Sequence, residues 1–242
     1  MSDPETIIHV KDLVKKFGNF VANDHLSFDV YKGEIFGFLG ANGAGKTTAI
    51  KILCGLSSPS SGIVNVAGFD AYKHTEDIKR NIGYMSQKFS LYDDLTITEN
   101  IRFFAGIYGI SRKVIKSRTG ELLEQFGLTD QRNTLISALP LGWKQKLAFS
   151  VAVFHKPKIV FLDEPTSGVD PITRRQFWEL IYDAASKGIT VFVTTHYMDE
   201  AEYCNRVTIM HEGRIAALDT PQRLKEQYKV SNIYDLFLQI VR

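Results

Sequence analysis

Apolar positions recur along this chain with two different periods, and each change of period marks a new part. In the first 35 or so residues Leu26, Phe28 and Val30 alternate with polar neighbours, the period of a half-buried strand. This stretch reads as short strands, an N-terminal antiparallel β subdomain. Lys32-Gly33-Glu34 makes a turn before an unbroken apolar run at 35–39, which fits a strand buried on both faces. That strand feeds a glycine-rich loop and a helix predicted over 46–56. Pro59 and Gly62 mark the loop beyond it. A further strand is predicted over 81–86, with Ile82 and Tyr84 on one face, ending at Gln87.

From about 96 to 139 the period becomes helical. Ile97, Ile101, Phe104, Ala105 and Tyr108 fall at helix spacing, as do Ile115, Leu122, Leu123 and Phe126. Arg112, Lys113, Lys116 and Arg118 lie on the second of these helices. A solvated face is the preferred reading of that run and a basic binding patch the alternative. The block interrupts an α/β pattern and is taken as an inserted helical subdomain. The pattern then resumes with a buried strand at 159–162. Asp170-Pro171 is an N-cap followed by proline at the first helical position, opening a helix that Gly188 ends. A strand over 189–195 follows, then a short helix around 198–204 and a hairpin turning at Glu212-Gly213. Thr220-Pro221 caps a C-terminal helical region. Strands alternating with helices imply an α/β fold with a mainly parallel sheet. The expected division of residues 1–242 is an α/β core over 1–95 and 157–220, a helical subdomain over 96–156 and a tail over 221–242.

Composition narrows the class of protein. A chain of 242 residues fits one large domain, and 29 basic against 27 acidic residues leave a net charge of +2. That balance makes no case for nucleic acid or anionic lipid as a main partner. Cys54 and Cys204 lack metal-ligand spacing and read as structural thiols in a reducing compartment. The apolar runs at 159–162 and 189–193 fall far below the roughly 20 residues a bilayer span needs. The polar, acidic first residues lack the pattern of a signal peptide. The chain is therefore expected to be cytosolic, with any membrane link made through a partner.

The sharpest chemistry lies at 40–48, Gly-Ala-Asn-Gly-Ala-Gly-Lys-Thr-Thr. It satisfies the P-loop pattern, and it sits between a predicted strand and a predicted helix. Glycines let backbone N–H groups turn inward around phosphate oxygens, and the helix N-terminus adds positive potential. Gly40, Asn42, Gly43, Ala44, Gly45, Lys46, Thr47 and Thr48 are the candidate nucleotide contacts. Lys46 is suited to the β- and γ-phosphates and Thr47 to Mg²⁺. The run at 159–162 ends in two carboxylates, Asp163 and Glu164. Asp163 is suited to holding Mg²⁺ and Glu164 to polarising an attacking water. An ordinary acidic loop start is the rival reading of this pair.

These residues together resemble the ABC-type ATPase family across nearly the whole chain. Pro165-Thr166-Ser167-Gly168-Val169-Asp170-Pro171 looks like that family's D-loop, following its Walker B carboxylates. The resemblance implies that Asp170 belongs to the nucleotide site and that His196 is the switch histidine, contacting the γ-phosphate and the catalytic water. It also implies that Gln87 is the Q-loop glutamine, sensing Mg²⁺ and that water, and that Phe17 is the aromatic ring stacking on adenine. Singly, His196 and Phe17 also read as core residues and Gln87 as a solvated loop residue.

The family's signature motif, usually Leu-Ser-Gly-Gly-Gln, is matched here by Leu139-Pro140-Leu141-Gly142-Trp143. Only Gly142 keeps its type among the expected phosphate contacts. Pro140 removes both a hydroxyl and a backbone N–H. The helix N-terminus after Gly142 still offers N–H groups, and Lys144 and Lys146 add charge nearby. Two readings stay open: a working variant, or a weakened half of a heterodimer. The first is favoured because Lys46, Gln87, Asp163, Glu164 and His196 are all present. The chain resembles ATPase subunits of bacterial drug-exporter-type systems. The resemblance implies a second nucleotide-binding domain, in a homodimer or a heterodimer, and membrane-spanning permease subunits on separate chains. It also implies a place on the cytoplasmic face of the membrane. Phe89, Leu91 and Tyr92 are candidate permease contacts, with ordinary packing as the alternative. The rival classes are a non-transport ABC ATPase and a regulatory subunit.

Overall fold

The computed structural model describes residues 5–87 and 91–241. Its strands form two sheets. β1 (Thr6–Phe17) and β2 (Phe20–Tyr31) make an antiparallel hairpin. They are longer than the short strands expected, because only two residues separate them and pairing runs to Phe17 and Phe20 at the tip. β3 (Ile35–Gly40) is buried along its whole length. It leads into α1 (Lys46–Leu53), which stops three residues short of the expected end, where the Leu56 N–H turns back to the Lys51 carbonyl at 2.8 Å.

Gly62, read as part of a loop, lies in β4 (Ser61–Val66), and β5 (Phe69–Asp70) and α2 (Thr75–Asn81) follow it. β4 alternates weakly, with Ile63 half exposed, and is held by its non-local pairing to β1. The antiparallel sheet thus has the order β2-β1-β4-β5. β6 (Ile82–Met85) follows α2 directly.

Three helices come next: α3 (Ile97–Ile107), α4 (Arg112–Gln125) and α5 (Leu141–Val153). Thr96 caps α3 in a capping box with Glu99, an arrangement that satisfies two orphan donors reciprocally. Arg112, Lys113 and Lys116 on α4 are exposed, as a solvated face should be. Arg118 instead turns in to donate to the Phe154 carbonyl at 2.9 Å.

The remaining elements are β7 (Ile159–Asp163), α6 (Pro171–Ser186), β8 (Thr190–Thr195), β9 (Arg206–His211), β10 (Arg214–Asp219), α7 (Pro221–Tyr228) and α8 (Ile233–Val241). The short helix expected near 198–204 is a 3₁₀ segment, Met198–Tyr203. The second sheet runs β10-β9-β3-β8-β7-β6, parallel except for the edge strand β10.

Two apolar layers flank this sheet. Between the sheets, Phe28, Phe36, Phe38, Phe161 and Phe192 form one aromatic cluster, with the Phe38 and Phe192 centroids 5.1 Å apart. On the other face α5, α6 and the C-terminal helices cover Leu39, Leu162, Val191 and Val193. Asp24 on β2 ties the sheets together through Arg214 on β10, at 2.6 Å. Among the described residues no helix is long and apolar enough to cross a membrane.

Candidate active site

In an open parallel sheet, reactive loops gather beyond the carboxyl ends of the strands. Here β3, β8, β7 and β6 are neighbours in that order. β3 ends in the glycine-rich loop, β8 in Thr195 before His196, β7 in Asp163 before Glu164, and β6 in Met85, two residues before Gln87. Residues spread over more than 150 positions therefore meet at one edge because of strand order.

The loop at 41–45 wraps a pocket of about 480 Å³ lined by Asn42, Gly43, Gly45, Lys46, Thr47, Thr48, Gln87 and Glu164, with Phe20 and Ala22 at its side. Gly40 and Ala44 support it from behind; Ala44 is buried and its carbonyl accepts from Gly213 N–H. Gly45 caps α1 at φ 100°, and a Cβ there would lie 2.4 Å from the Ala22 carbonyl oxygen. No other residue fits. Buried Asn23 fixes the same turn, its Nδ2 donating to the Gly45 carbonyl at 3.1 Å.

Lys46 is only 4 % exposed. Its Nζ donates to the Gly40 and Ala41 carbonyls at 2.8 and 3.2 Å and pairs with Glu164 Oε1 at 3.4 Å. Burial pushes its pKa below 10.5, an effect the Glu164 carboxylate opposes.

The two carboxylates have different settings. Asp163 Oδ1 accepts from Thr194 Oγ1 at 2.7 Å and from Thr47 Oγ1 at 3.4 Å. Burial holds its carboxyl above the ordinary aspartate range, while the two hydroxyls pull the other way. Glu164 sits at φ 50°, a backbone conformation a non-glycine residue adopts only under constraint. The constraint is Thr194, whose hydroxyl and carbonyl both accept from the Glu164 N–H, at 3.0 and 3.2 Å. Glu164 Oε2 then accepts from Gln87 Nε2 at 2.9 Å and meets His196 Nδ1 at 3.0 Å.

Thr47 and Asp163 offer hard oxygen donors side by side, the donor type that suits Mg²⁺. Among the described residues no group of three His, Cys, Asp or Glu is placed to hold a metal ion, so a cation here would draw its other ligands from phosphate and water.

Phe17 does not line this pocket; Phe20 does. The two are cross-strand partners at the hairpin tip, 55 and 65 % exposed, and directly opposed residues share a face. The Lys15 ammonium lies 4.9 Å over the Phe17 ring.

The geometry now has relatives to stand beside. The family model described as "ABC transporter" matches residues 23–167. The chain belongs to the ABC transporter family. It is 50 % identical over 223 residues to an Escherichia coli protein named as a probable multidrug ABC transporter ATP-binding protein, YbhF. The match covers 92 % of this chain and 39 % of that one, so the chain spans well under half of its relative's length. A solved ATP-binding subunit of an ABC transporter superposes with a TM-score of 0.87 at 29 % identity, covering 97 % of this chain and 99 % of its own. A dimeric ATP-binding cassette in a post-hydrolysis state, bound to ADP and phosphate, matches at TM-score 0.79 and 25 % identity, covering 88 and 98 %. As a member of this family, the chain is an ATP-binding domain.

The stretch that the sequence aligns with the family's signature motif borders a separate groove of about 350 Å³, lined by Pro140, Leu141, Gly142 and Trp143 together with Gly168, Val169 and Asp170. α5 starts at Leu141, earlier than the start after Gly142 that the sequence suggests, because Pro140 serves as its N-cap at φ −57°. The Trp143 and Lys144 N–H groups bond back to the Pro140 carbonyl, and the first-turn donors at Leu141 and Gly142 precede them. Gly142 is fixed by a close approach: a Cβ would lie 2.6 Å from Thr173 Cγ2. Lys144 pairs with Asp93 at 3.2 Å, and Lys146 donates to Gln176 while lying over the Trp143 ring. Of the two lysines expected to add charge nearby, Lys144 is thus paired with a carboxylate and Lys146 is held by a neutral amide. Asp170 is spent on capping α6, accepting from the Ile172 and Thr173 N–H groups and from Thr173 Oγ1 at 2.6 Å.

Sequence reasoning missed Thr194, Phe20, Asn23 and Gln145. The last is buried, its amide donating to the Ser167 carbonyl at 3.1 Å. The signal for Thr194 is a hydroxyl next to the apolar run of a buried strand. Of the expected permease contacts, Leu91 is corrected: it is buried in the core under α3. Tyr92 is half exposed and packs on Phe103 and Phe104. Phe89 lies outside the described residues.

Proposed function

We propose that this chain hydrolyses Mg·ATP as one half of a head-to-tail dimer and thereby drives export through separate membrane subunits. The observation that carries the reading is the Glu164 carboxylate held at once by Lys46, Gln87 and His196 beside the phosphate loop. A carboxylate oriented by three donors is suited to align a water and accept its proton as the oxygen attacks the γ-phosphorus and the bond to the β–γ bridging oxygen breaks. The triphosphate would draw the Lys46 ammonium away from Glu164 and free that carboxylate for the water. Mg²⁺, when bound, neutralises charge on the β- and γ-phosphates, and Thr47, Asp163 and Gln87 are the residues suited to its side of the pocket. His196 would hold the γ-phosphate, while Phe20 with Phe17 offers the adenine an aromatic edge.

The groove along Pro140–Gly142 lies apart from the P-loop pocket in the same chain, which favours its use by a second copy. The backbone donors of the α5 N-terminus would then cap the γ-phosphate of the other subunit. The name of the E. coli relative supports drug export. A cytoplasmic-face location and docking of permease subunits on exposed Tyr92, Phe103 and Ile107 of the helical lobe complete the reading. The engaged state of Lys144 and Lys146 favours a second reading, a weakened signature paired with a stronger partner chain.

Phosphate release from Mg·ATP decides between them. Wild type is expected to turn over alone, and Lys46→Ala to fall by about 100-fold or more. Turnover only after mixing with a second ATP-binding chain would favour the heterodimer; equal rates for Lys46→Ala and wild type would overturn hydrolysis at this site. Purification of the native assembly from membranes tests the transport role. Copurifying membrane-spanning subunits are expected, and a soluble assembly without them would contradict it.

A further inference from the structure

Six residues close a ring of contacts around the loop that follows β7. Glu164 Oε2 meets His196 Nδ1 at 3.0 Å. The His196 ring lies against Tyr197, with centroids 4.2 Å apart. The Tyr197 ring carries the Arg174 guanidinium, whose central carbon is 3.8 Å from the centroid. Arg174 Nε stands 3.8 Å from Glu200 Oε1. That same oxygen accepts a 2.6 Å hydrogen bond from Thr166 Oγ1. Thr166 lies two residues after Glu164, so the path returns to its start.

The centre of the ring is unusual. Glu200 is fully buried, at 0 % exposure, and Thr166 is at 1 %. A buried carboxylate is costly unless paired and hydrogen-bonded. Here the pairing is incomplete, because Glu200 Oε2 and Arg174 Nε make no hydrogen bond among the described residues. Arg174 divides its charge between Glu200 and Asp199, whose Oδ2 lies 3.4 Å from Nη1. Arg174 sits on the first turn of α6, whereas Tyr197, Asp199 and Glu200 all belong to the segment after β8. An apolar side chain at position 200 would fill this space more cheaply, so packing alone does not account for the carboxylate.

We propose that Glu200 is a positioning residue for ATP hydrolysis: through Thr166 and Arg174 it sets the loop bearing His196 against the loop bearing Glu164. The inference rests on the hydrolysis reading above and extends it to residues that do not line the nucleotide pocket. Thr166, Arg174 and Glu200 are all absent from the wall of the P-loop pocket, so the ring acts on the geometry of the reacting groups rather than on nucleotide contact. Small misplacement of such groups costs rate steeply. A merely structural pair would move stability and leave turnover per folded molecule alone.

The test is steady-state hydrolysis by the full chain carrying Thr166→Val, Thr166→Ser, Glu200→Gln and Glu200→Ala. Each is paired with binding of a fluorescent ATP analogue and a thermal unfolding midpoint. Thr166→Val, which keeps the side chain's shape, is expected to lower kcat about tenfold with KM within about twofold. Thr166→Ser should restore most of the rate, because the hydroxyl returns. Glu200→Gln should fall between wild type and Glu200→Ala, since it keeps an acceptor for Thr166. If Glu200→Ala does not fold, the two Thr166 variants carry the test unaided. An active wild type with Thr166→Val turnover unchanged would overturn the proposal, as would Val and Ser variants that lose rate equally. A wild type without turnover, both alone and mixed with a second ATP-binding chain, would instead refute the hydrolysis reading.

Discussion

Asp163 pays in stability for its place in the site. Burial holds its carboxyl above 3.8, so the folded state resists its ionisation. A carboxyl with a raised folded value favours folding at pH below its unfolded value, and that contribution is lost as pH rises through the folded value. Asp163→Asn keeps an acceptor for Thr194 and removes the charge. The variant's unfolding midpoint should therefore rise relative to wild type as pH climbs from about 4 to about 8, while Mg²⁺-dependent hydrolysis is lost. A gap that narrows over that range would contradict the sign. Phe20 offers a second residue-scale test. Its loss should weaken ATP binding by about 1–3 kcal/mol, the range for a base stacked on an aromatic ring. Tripolyphosphate binding, which involves no base, should not change. At this scale the P-loop and the acidic pair were legible because each is a local pattern. Phe20 was not, because nothing local separates it from Phe17; only the hairpin register puts both rings at one tip.

Among the elements, the contact between α5 and α6 is closely constrained at Gly142. Thr173 is held in place by its hydroxyl bond to Asp170, so it cannot rotate away from a methyl at position 142. Gly142→Ala should cost about 1–3 kcal/mol by overpacking, measured by denaturant unfolding, and should lower turnover by shifting the α5 N-terminus. Unchanged stability would mean that the two helices are free to move apart. Asp170→Ala should cost about 0.5–2 kcal/mol, the range for an N-cap. The wholly apolar runs of β3 and β7 and the Asp170-Pro171 start of α6 could be read from sequence because burial on both faces and capping are written locally. β4 could not, since its order comes from pairing with β1, some 50 residues away, and the two-residue β5 pairs only on β4. α5 starts two residues earlier than the sequence suggests, because Pro140 has the dihedral of a cap, which a comparison of residue types does not disclose.

For the whole molecule, topology assembles the site. Lys46, Gln87, Glu164 and His196 come from four strand ends, and only the order β3-β8-β7-β6 makes them neighbours. Alternating periodicity foretold a mainly parallel sheet but not that order, which depends on crossovers far apart in sequence. The same arrangement leaves the signature groove apart from the P-loop pocket, so the account needs a second copy to complete each site. The most direct measurement is sedimentation velocity of Glu164→Gln with and without Mg·ATP. The account predicts a monomer without nucleotide and a persistent dimer with it, because ATP is bound but not consumed, whereas wild type returns to monomer as ATP is spent. A Glu164→Gln protein that stays monomeric at saturating Mg·ATP, with nucleotide bound, would contradict the composite site.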